Sequence, residues 1–370
     1  MLKEGDIRIP AGCAISAIID KTGKRFSGND IIQSIALMHE RSNGLGGGFA
    51  AYGIYPEYKD LFALHIFYDN LAIKMKTEEY LSKHFEIASA GNIPTRKVAS
   101  VKNKPLIWRY FVRPRIYIVQ DGYLDEEEFT KRCVIRINKE YKGAYVFSSG
   151  KNMGTFKGVG YPEDIGDFFM LDTYDAHLWT AHGRFPTNTP GWWGGAHPFT
   201  MLNWSIVHNG EISSYDANRR FVEMYGYKCT LQTDTEVITY LFDLLIRKHG
   251  LPIEKAITVL AAPLWDEIAR KSPELKKELT ALRTVYSSAL INGPFSIILG
   301  FDKGMVALND RIKLRSLVAA QKGSKTYVAS EESSIRVICP EPDKVWSPKG
   351  GEPVIVYLDG KGAKKREELC

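Results

Sequence analysis

The sequence predicts an α+β or layered α/β protein, on three observations along its 370 residues. Short apolar runs rich in β-branched residues open the chain, amphipathic helical periods fill its second half, and two apolar strands return near residue 300. Strands, then helices, then strands again are buried most simply as stacked layers. With 44% hydrophobic and 25% charged residues, the chain has ample material for such a core.

Each element has its own signature. Cys13 to Ile19 is an apolar, β-branched run that stops at a Lys21–Lys24 turn, the pattern of a buried strand. Asn29 to Glu40 carries apolar residues at 31, 32, 35, 37 and 38, with Ser27 or Asn29 as a cap, and predicts an amphipathic helix. A glycine-rich turn at Gly44–Gly48 leads to a strand near Phe49–Tyr55, and Leu61–Tyr68 is a second strand. The stretch from about 75 to 172 mixes a helix (Thr77–Phe85), a basic-aromatic extended piece (Lys104–Val119) and an acid-led helix (Asp125–Glu140); it reads as an insertion within the fold. A strand at His177–Arg184 follows. Helices are expected at Tyr215–Tyr225, Asp234–His249, Pro252–Ala261 and Ser272–Val285, and a hairpin at Pro294–Phe301 and Met305–Leu308.

Several function classes are disfavoured at once. The net charge of +6 is dispersed, and the one basic cluster, Lys361–Arg366, runs into Glu367-Glu368 as a solvated tail; nucleic acid is not an expected partner. Five cysteines (13, 133, 229, 339, 370) lie far apart with no CxxC spacing, so a metal site has no support and a reduced, cytoplasmic chain is expected. No run of 18 apolar residues exists to span a membrane. Ala11-Gly12-Cys13 resembles a lipoprotein cleavage site, but the preceding MLKEGDIRIP has four charges and no apolar stretch, which argues against a secretory signal.

The densest chemistry lies between His182 and Glu211. Arg184 ends an apolar run, turns rich in Gly and Pro surround Trp192-Trp193, and Asn209-Gly210 closes the alternating segment Trp204–His208. Arg184 can pair bidentately with a carboxylate or, as plainly, form a surface ion pair. Asn209-Gly210 offers a side-chain amide beside a glycine N–H, which suits an oxyanion hole; it is equally a common hairpin turn. Asp234, in QTDTEVITYL, is a helix start or an anion facing a pocket. Trp192-Trp193-Gly194-Gly195 has the makings of a mobile cover, or of a static packed loop. Cys13 taken alone is a buried strand cysteine. Cut after Gly12, it would carry an α-amine with a reference pKa of about 8, able to serve as base for its own thiol.

In combination and in order, CAISAII, HGRFPTNT, HPF, HNGEI, TDTE, then Asp310–Arg315 and Ala329-Ser330-Glu331, resemble class II glutamine amidotransferase domains, a group of N-terminal-nucleophile hydrolases. HGRFPTN and HNGEI look most like the glutamate-synthase type, with Asn188 after the motif threonine. The resemblance implies a four-layer αββα sandwich of the N-terminal-nucleophile type, within an α+β class, carrying an insertion. It implies a leader at 1–12, an amidotransferase domain over 13–340, and a C-terminal strand and basic tail over 341–370.

Residue by residue, the resemblance makes Cys13 the nucleophile on the glutamine amide. Asn209 and Gly210 hold the oxyanion; Arg184, helped by Thr187, binds the α-carboxylate; Phe185 lines the pocket; Asp234 receives the α-ammonium. Thr189–Ala196 is similar to the loop that covers glutamine. The chain shows no phosphate loop, dinucleotide fingerprint or cysteine cluster. Ammonia is therefore expected to pass to a separate glutamate-synthase-like subunit, with FMN and an iron–sulfur centre expected only in that partner. The alternative is an unprocessed, non-catalytic subunit that keeps the pocket as a glutamine sensor.

Overall fold

A computed structural model describes residues 12–115, 125–185, 191–231 and 233–360. The strand Ala14–Asp20 is buried at every position. It runs through an antiparallel seven-stranded sheet ordered Lys344–Trp346, Val318–Lys322, Lys325–Ala329, Ala14–Asp20, Leu178–Gly183, Gly47–Tyr52, Met153–Gly158. A second antiparallel sheet has five strands: Phe199–Met201, Trp204–Gly210, Phe295–Phe301, Gly304–Asn309 and Val354–Tyr357.

The two-residue period of a strand explains the layering. Ile15, Ala17 and Ile19 point inward with Val207, Ile298, Met305 and Ala307 of the second sheet. Ala14 and Ile18 point the other way, onto Ile31 and Ile35 of the helix Asn29–Ala36 and Ile165 and Phe168 of the helix Pro162–Phe168. The outer face of the five-stranded sheet (Ile206, Ile297, Leu299) packs on the helices Tyr215–Met224, Asp234–Phe242 and Ile253–Leu260 through Val222, Val237, Leu241 and Leu260. Helices, sheet, sheet, helices: the fold is the expected αββα sandwich. A continuous apolar run is needed where both faces of a strand are covered, and each isoleucine so buried contributes roughly 1.5–3 kcal/mol.

An extra four-stranded sheet is built from Phe85–Asn92, Leu106–Pro114, Phe62–Tyr68 and Ala144–Ser148, in that order. It carries the helices Leu71–His84 and Glu126–Glu140. Asn70 caps the first by accepting from the Ile73 N–H at 3.0 Å, and Asp125 caps the second by accepting from Glu128 N–H at 2.6 Å. Phe62, Leu64 and Ile66 join the core under the outer helices, while Ala63 and Phe67 join the core on the opposite side of the sandwich. Arg247 ties the unit down, with Glu128 at 3.1 Å and Asp243 at 2.6 Å. The extra sheet thus spans 62–148, and the strand Met153–Gly158 already belongs to the seven-stranded sheet. Past 340, Lys344–Trp346 and Val354–Tyr357 add one edge strand to each main sheet, so the sandwich runs on to Tyr357. Residues 1–11 of the expected leader (1–12) and the basic stretch from 361 lie outside the described residues. Among the described residues no helix is long and apolar enough to cross a membrane.

Candidate active site

Register puts Cys13 next to Arg184. Ala14 pairs with Gly183 across the central strands, so the residue before one strand meets the residue after the other. The Phe185 N–H donates to the Cys13 sulfur at 3.3 Å. Arg41 Nε donates to the Cys13 carbonyl at 3.2 Å, and its Nη1 pairs with Glu331 at 2.9 Å. Burial pushes the Cys13 thiol above its ordinary range; the Phe185 N–H and the charges of Arg184 and Arg315 pull it down, and Asp234 opposes them. A thiol held protonated in this way needs a base before it can attack.

Asn209 and Gly210 end the strand Trp204–Gly210. Asn209 is fully buried, and its Nδ2 lies 3.4 Å from Ser330 Oγ. The same hydroxyl accepts the Ile15 N–H at 3.1 Å, so one serine joins the strand that follows the cysteine to the asparagine. Gly210 has φ +149, where a side chain would strike the Pro294 carbonyl oxygen at 2.0 Å. A side chain at position 12 would lie within 3.5 Å of Arg315 Nη1 and 4.0 Å of Asn209 Oδ1, which places the residue before the cysteine against both.

Arg184 is 7% exposed, and its main chain is fixed by Gly46 O at 2.8 Å and by the Ser42 hydroxyl on its carbonyl at 3.1 Å. Glycines flank its side chain: a Cβ at Gly46 would touch Cδ at 2.9 Å and one at Gly195 would meet Nη1 at 3.6 Å. Asp234 opens the helix Asp234–Phe242. Its Oδ2 accepts the Ile212 N–H at 3.0 Å, two residues past Gly210, and its Oδ1 accepts the Thr235 hydroxyl at 3.1 Å. Burial disfavours its charge, but His208 beside it, the Ile212 N–H and the Thr235 hydroxyl prevail and hold the carboxyl below its usual range. A fixed cation and a fixed anion therefore stand with the thiol among them. Thr187 lies outside the described residues, as do the first two residues of the loop Thr189–Ala196 that resembles a glutamine cover; Gly191–Ala196 is described.

No imidazole serves the thiol, whose hydrogen bonds among the described residues run to Phe185. His182 stacks on His197 at 4.0 Å and its Nε2 is bonded to the His208 carbonyl at 2.9 Å. Burial, seconded by Arg184, drops His182 to about 3, and burial with His182 lowers His197 well below its usual value. Both are neutral struts. Ser330, Arg41, Arg315 and Lys157 were not assigned roles from sequence. Two of them lie in noted motifs, ASE and Asp310–Arg315, and Asp310 shapes the latter by accepting N–H groups of Ile312, Leu314 and Arg315. Arg41 and Lys157 carried no local signal.

Glu236, in the first turn of the same helix, gives a test of this electrostatics. It accepts from Thr230 N–H at 3.2 Å, Leu231 N–H at 3.0 Å and the Tyr240 hydroxyl at 3.0 Å, yet burial pushes its carboxyl up to about 7. A raised carboxyl binds more protons folded than unfolded, so its stabilisation is complete below about 4.5 and is lost as pH rises through about 7. The loss is on the order of 3 kcal/mol. Melting curves from about pH 5 to 8 are expected to fall more steeply for wild type than for Glu236→Gln. Equal slopes would contradict the assignment.

The sequence profile of class II glutamine amidotransferases matches residues 76–347. An uncharacterized protein of Archaeoglobus fulgidus is 49% identical over 96% of this chain and 95% of its own length. The glutamine amidotransferase-like protein GlxB of Rhizobium meliloti is 27% identical, over 58% of this chain and 61% of that protein. An amidophosphoribosyltransferase of Methanocaldococcus jannaschii is 24% identical over 57% of this chain, and the match spans only 41% of that enzyme. Among solved structures, the glutamine phosphoribosylpyrophosphate amidotransferase of B. subtilis aligns with 93% of this chain and 47% of its own, at 13% identity and a TM-score of 0.46. The chain belongs to the class II glutamine amidotransferases.

Proposed function

We propose that the chain is a glutaminase subunit of the glutamate-synthase type: it hydrolyses L-glutamine through Cys13 and passes ammonia to a separate synthase-like subunit. The observation that carries this reading is the meeting of one thiol and one buried arginine, at the ends of paired strands, with one part-buried aspartate at a helix start. Glutamine is a zwitterion with an amide at its far end. Selecting it takes a cation for the carboxylate, an anion for the ammonium and donors where charge develops. Arg184, with Thr187, holds the carboxylate; Asp234 holds the ammonium; Phe185 lines the space between. Asn188 and the HNGEI strand support the glutamate-synthase type, and 2-oxoglutarate is the acceptor class that goes with it.

In this mechanism the Gly12–Cys13 bond is first cut, freeing the Cys13 amine. The amine takes the thiol proton as sulfur attacks the side-chain amide carbon, and returns it to the departing ammonia. Water, deprotonated by the same amine, then cleaves the γ-glutamyl thioester to glutamate and restores the thiol. The oxyanion of each tetrahedral state falls to Asn209 and the Gly210 N–H. Asn209 has two amide orientations. Its Oδ1 lacks a partner among the described residues, while Ser330 Oγ, already an acceptor for Ile15, still has its own proton to donate. Turning the amide over satisfies both groups and brings Nδ2 to the side of residue 12, where a donor is wanted.

An assay of ammonia release from glutamine, read beside the intact mass, tests the proposal. The expected result is a chain beginning at Cys13 that liberates ammonia, faster when an FMN-dependent synthase partner is added. An active protein still beginning at Met1 rules out the amine base. A processed protein that binds glutamine but never releases ammonia makes the chain a sensor instead.

A further inference from the structure

The side chain of Lys157, on the strand Met153–Gly158, is wholly buried. Lysine is rarely found so deep, because an amine stripped of water must be given acceptors. Here the acceptors are two main-chain carbonyls, Gly194 O at 2.9 Å and Pro198 O at 3.2 Å. Both belong to one short segment, which begins with Gly194–Ala196, the end of the loop that resembles a glutamine cover. Around the amine stand the rings of Phe199 at 4.5 Å and Tyr145 at 5.3 Å, and the charged or titratable groups in its neighbourhood are Arg184, Glu236 and His197. Packing alone does not require an amine there: a methionine of similar length would fill the space without the desolvation cost.

What the two bonds hold in place is specific. Between Gly194 and Pro198 lie Gly195, Ala196 and His197, and the first two bear on the site: a Cβ at Gly195 would meet Arg184 Nη1 at 3.6 Å, and Ala196 packs beside Gly46 where that glycine backs the Arg184 side chain. The segment is therefore pinned on either side of its contact with the guanidinium. The sequence offered no hint of this, since Lys157 lies in TFKGVG, outside every motif.

We infer that Lys157 is a positioning residue for glutamine capture: its amine straps the segment from Gly194 to Pro198 over Arg184 and so shapes the carboxylate end of the pocket. The inference rests on the glutamine reading above. It places the effect on substrate capture, with the intrinsic reactivity of the thiol unaffected.

The test compares two labels for Cys13, a diazoketone analogue of glutamine, which must enter the pocket, and iodoacetamide, which need not. In Lys157→Met, labelling by the analogue and kcat/KM for glutamine are expected to fall about tenfold, mainly through KM, the loss of two hydrogen bonds to the segment. Iodoacetamide labelling should match wild type. Lys157→Gln, whose amide can still reach one carbonyl, is expected to fall between. Equal analogue labelling in wild type and Lys157→Met overturns the inference. So does a parallel loss of both labels in both variants, which marks a general folding role. A wild-type protein that the analogue never labels refutes the glutamine reading itself, and is told apart by being seen before any substitution is made.

Discussion

Cys13→Ala is expected to reduce ammonia release from glutamine to background while glutamine still binds. Removing the nucleophile of a covalent mechanism costs on the order of 10⁶ in turnover, because no second group can form the acyl intermediate. The other described cysteines offer no substitute. Cys133 is buried in the helix Glu126–Glu140, where burial lifts its thiol to about 11, Cys229 packs against the core under the outer helices, where burial and then Glu236 push its thiol up, and Cys339 is buried with the outer helices of the seven-stranded sheet. The methyl group of alanine fits where the thiol stood, and the Phe185 N–H loses only a weak sulfur acceptor. Arg184 and Asp234 keep their supports, Gly46 for the first and Ile212 and Thr235 for the second, so calorimetry should find glutamine affinity close to that of the processed wild type. Turnover in Cys13→Ala equal to wild type would overturn the mechanism outright. Loss of binding together with turnover would mean that the thiol shapes the pocket, a role not suggested by its bonds among the described residues, which run to the Phe185 main chain.

The residues proposed to hold substrate sit in local strings, HGRF, HNG and TDTE, each supplying from one stretch of chain the groups proposed for one part of glutamine. The layering was legible, since continuous apolar runs such as Ala14–Asp20 occur only where both faces of a strand are covered. What sequence could not show is pairing at a distance. Ser330 reaches Asn209 and Ile15 only because Lys325–Ala329 lies beside Ala14–Asp20 in the sheet. The hairpin that brings it there has small and polar residues, Ala319, Ala320, Gln321 and Lys322, with a Gly323 turn, and its apolar alternation is too short to stand out. The edge strand Phe85–Asn92 was hidden for a related reason. Beyond Phe85 its residues are exposed or nearly so, and its order comes from backbone bonds to Leu106–Pro114. Lys157 is the extreme case: its meaning lies wholly in two carbonyls about forty residues away.

Gly210→Ala is the second large effect, and it acts through the backbone. Position 210 has φ +149, a conformation that alanine adopts only under strain, and its new Cβ would stand 2.0 Å from Pro294 O and 2.7 Å from Phe295 Cα. Those are main-chain atoms of the segment that leads into the neighbouring strand, which pairs with Gly210 at Phe295. They cannot swing aside as a flexible side chain would, so the end of the strand Trp204–Gly210 must shift. Strain and overpacking of this kind cost roughly 2–4 kcal/mol. The shift moves Asn209 relative to Ser330 on one side and Ile212 relative to Asp234 on the other, disturbing the proposed oxyanion and ammonium ends together. We therefore expect kcat to fall by about 10²–10³ with KM raised as well, alongside a lower melting temperature. Asn209→Ala serves as the comparison: it removes the amide without touching the backbone, so kcat should fall by a similar factor with KM nearly unchanged. If Gly210→Ala folded with wild-type stability and full turnover, the close approach of the strand ends could not be what places the amide, and the oxyanion role of this pair would fail with it.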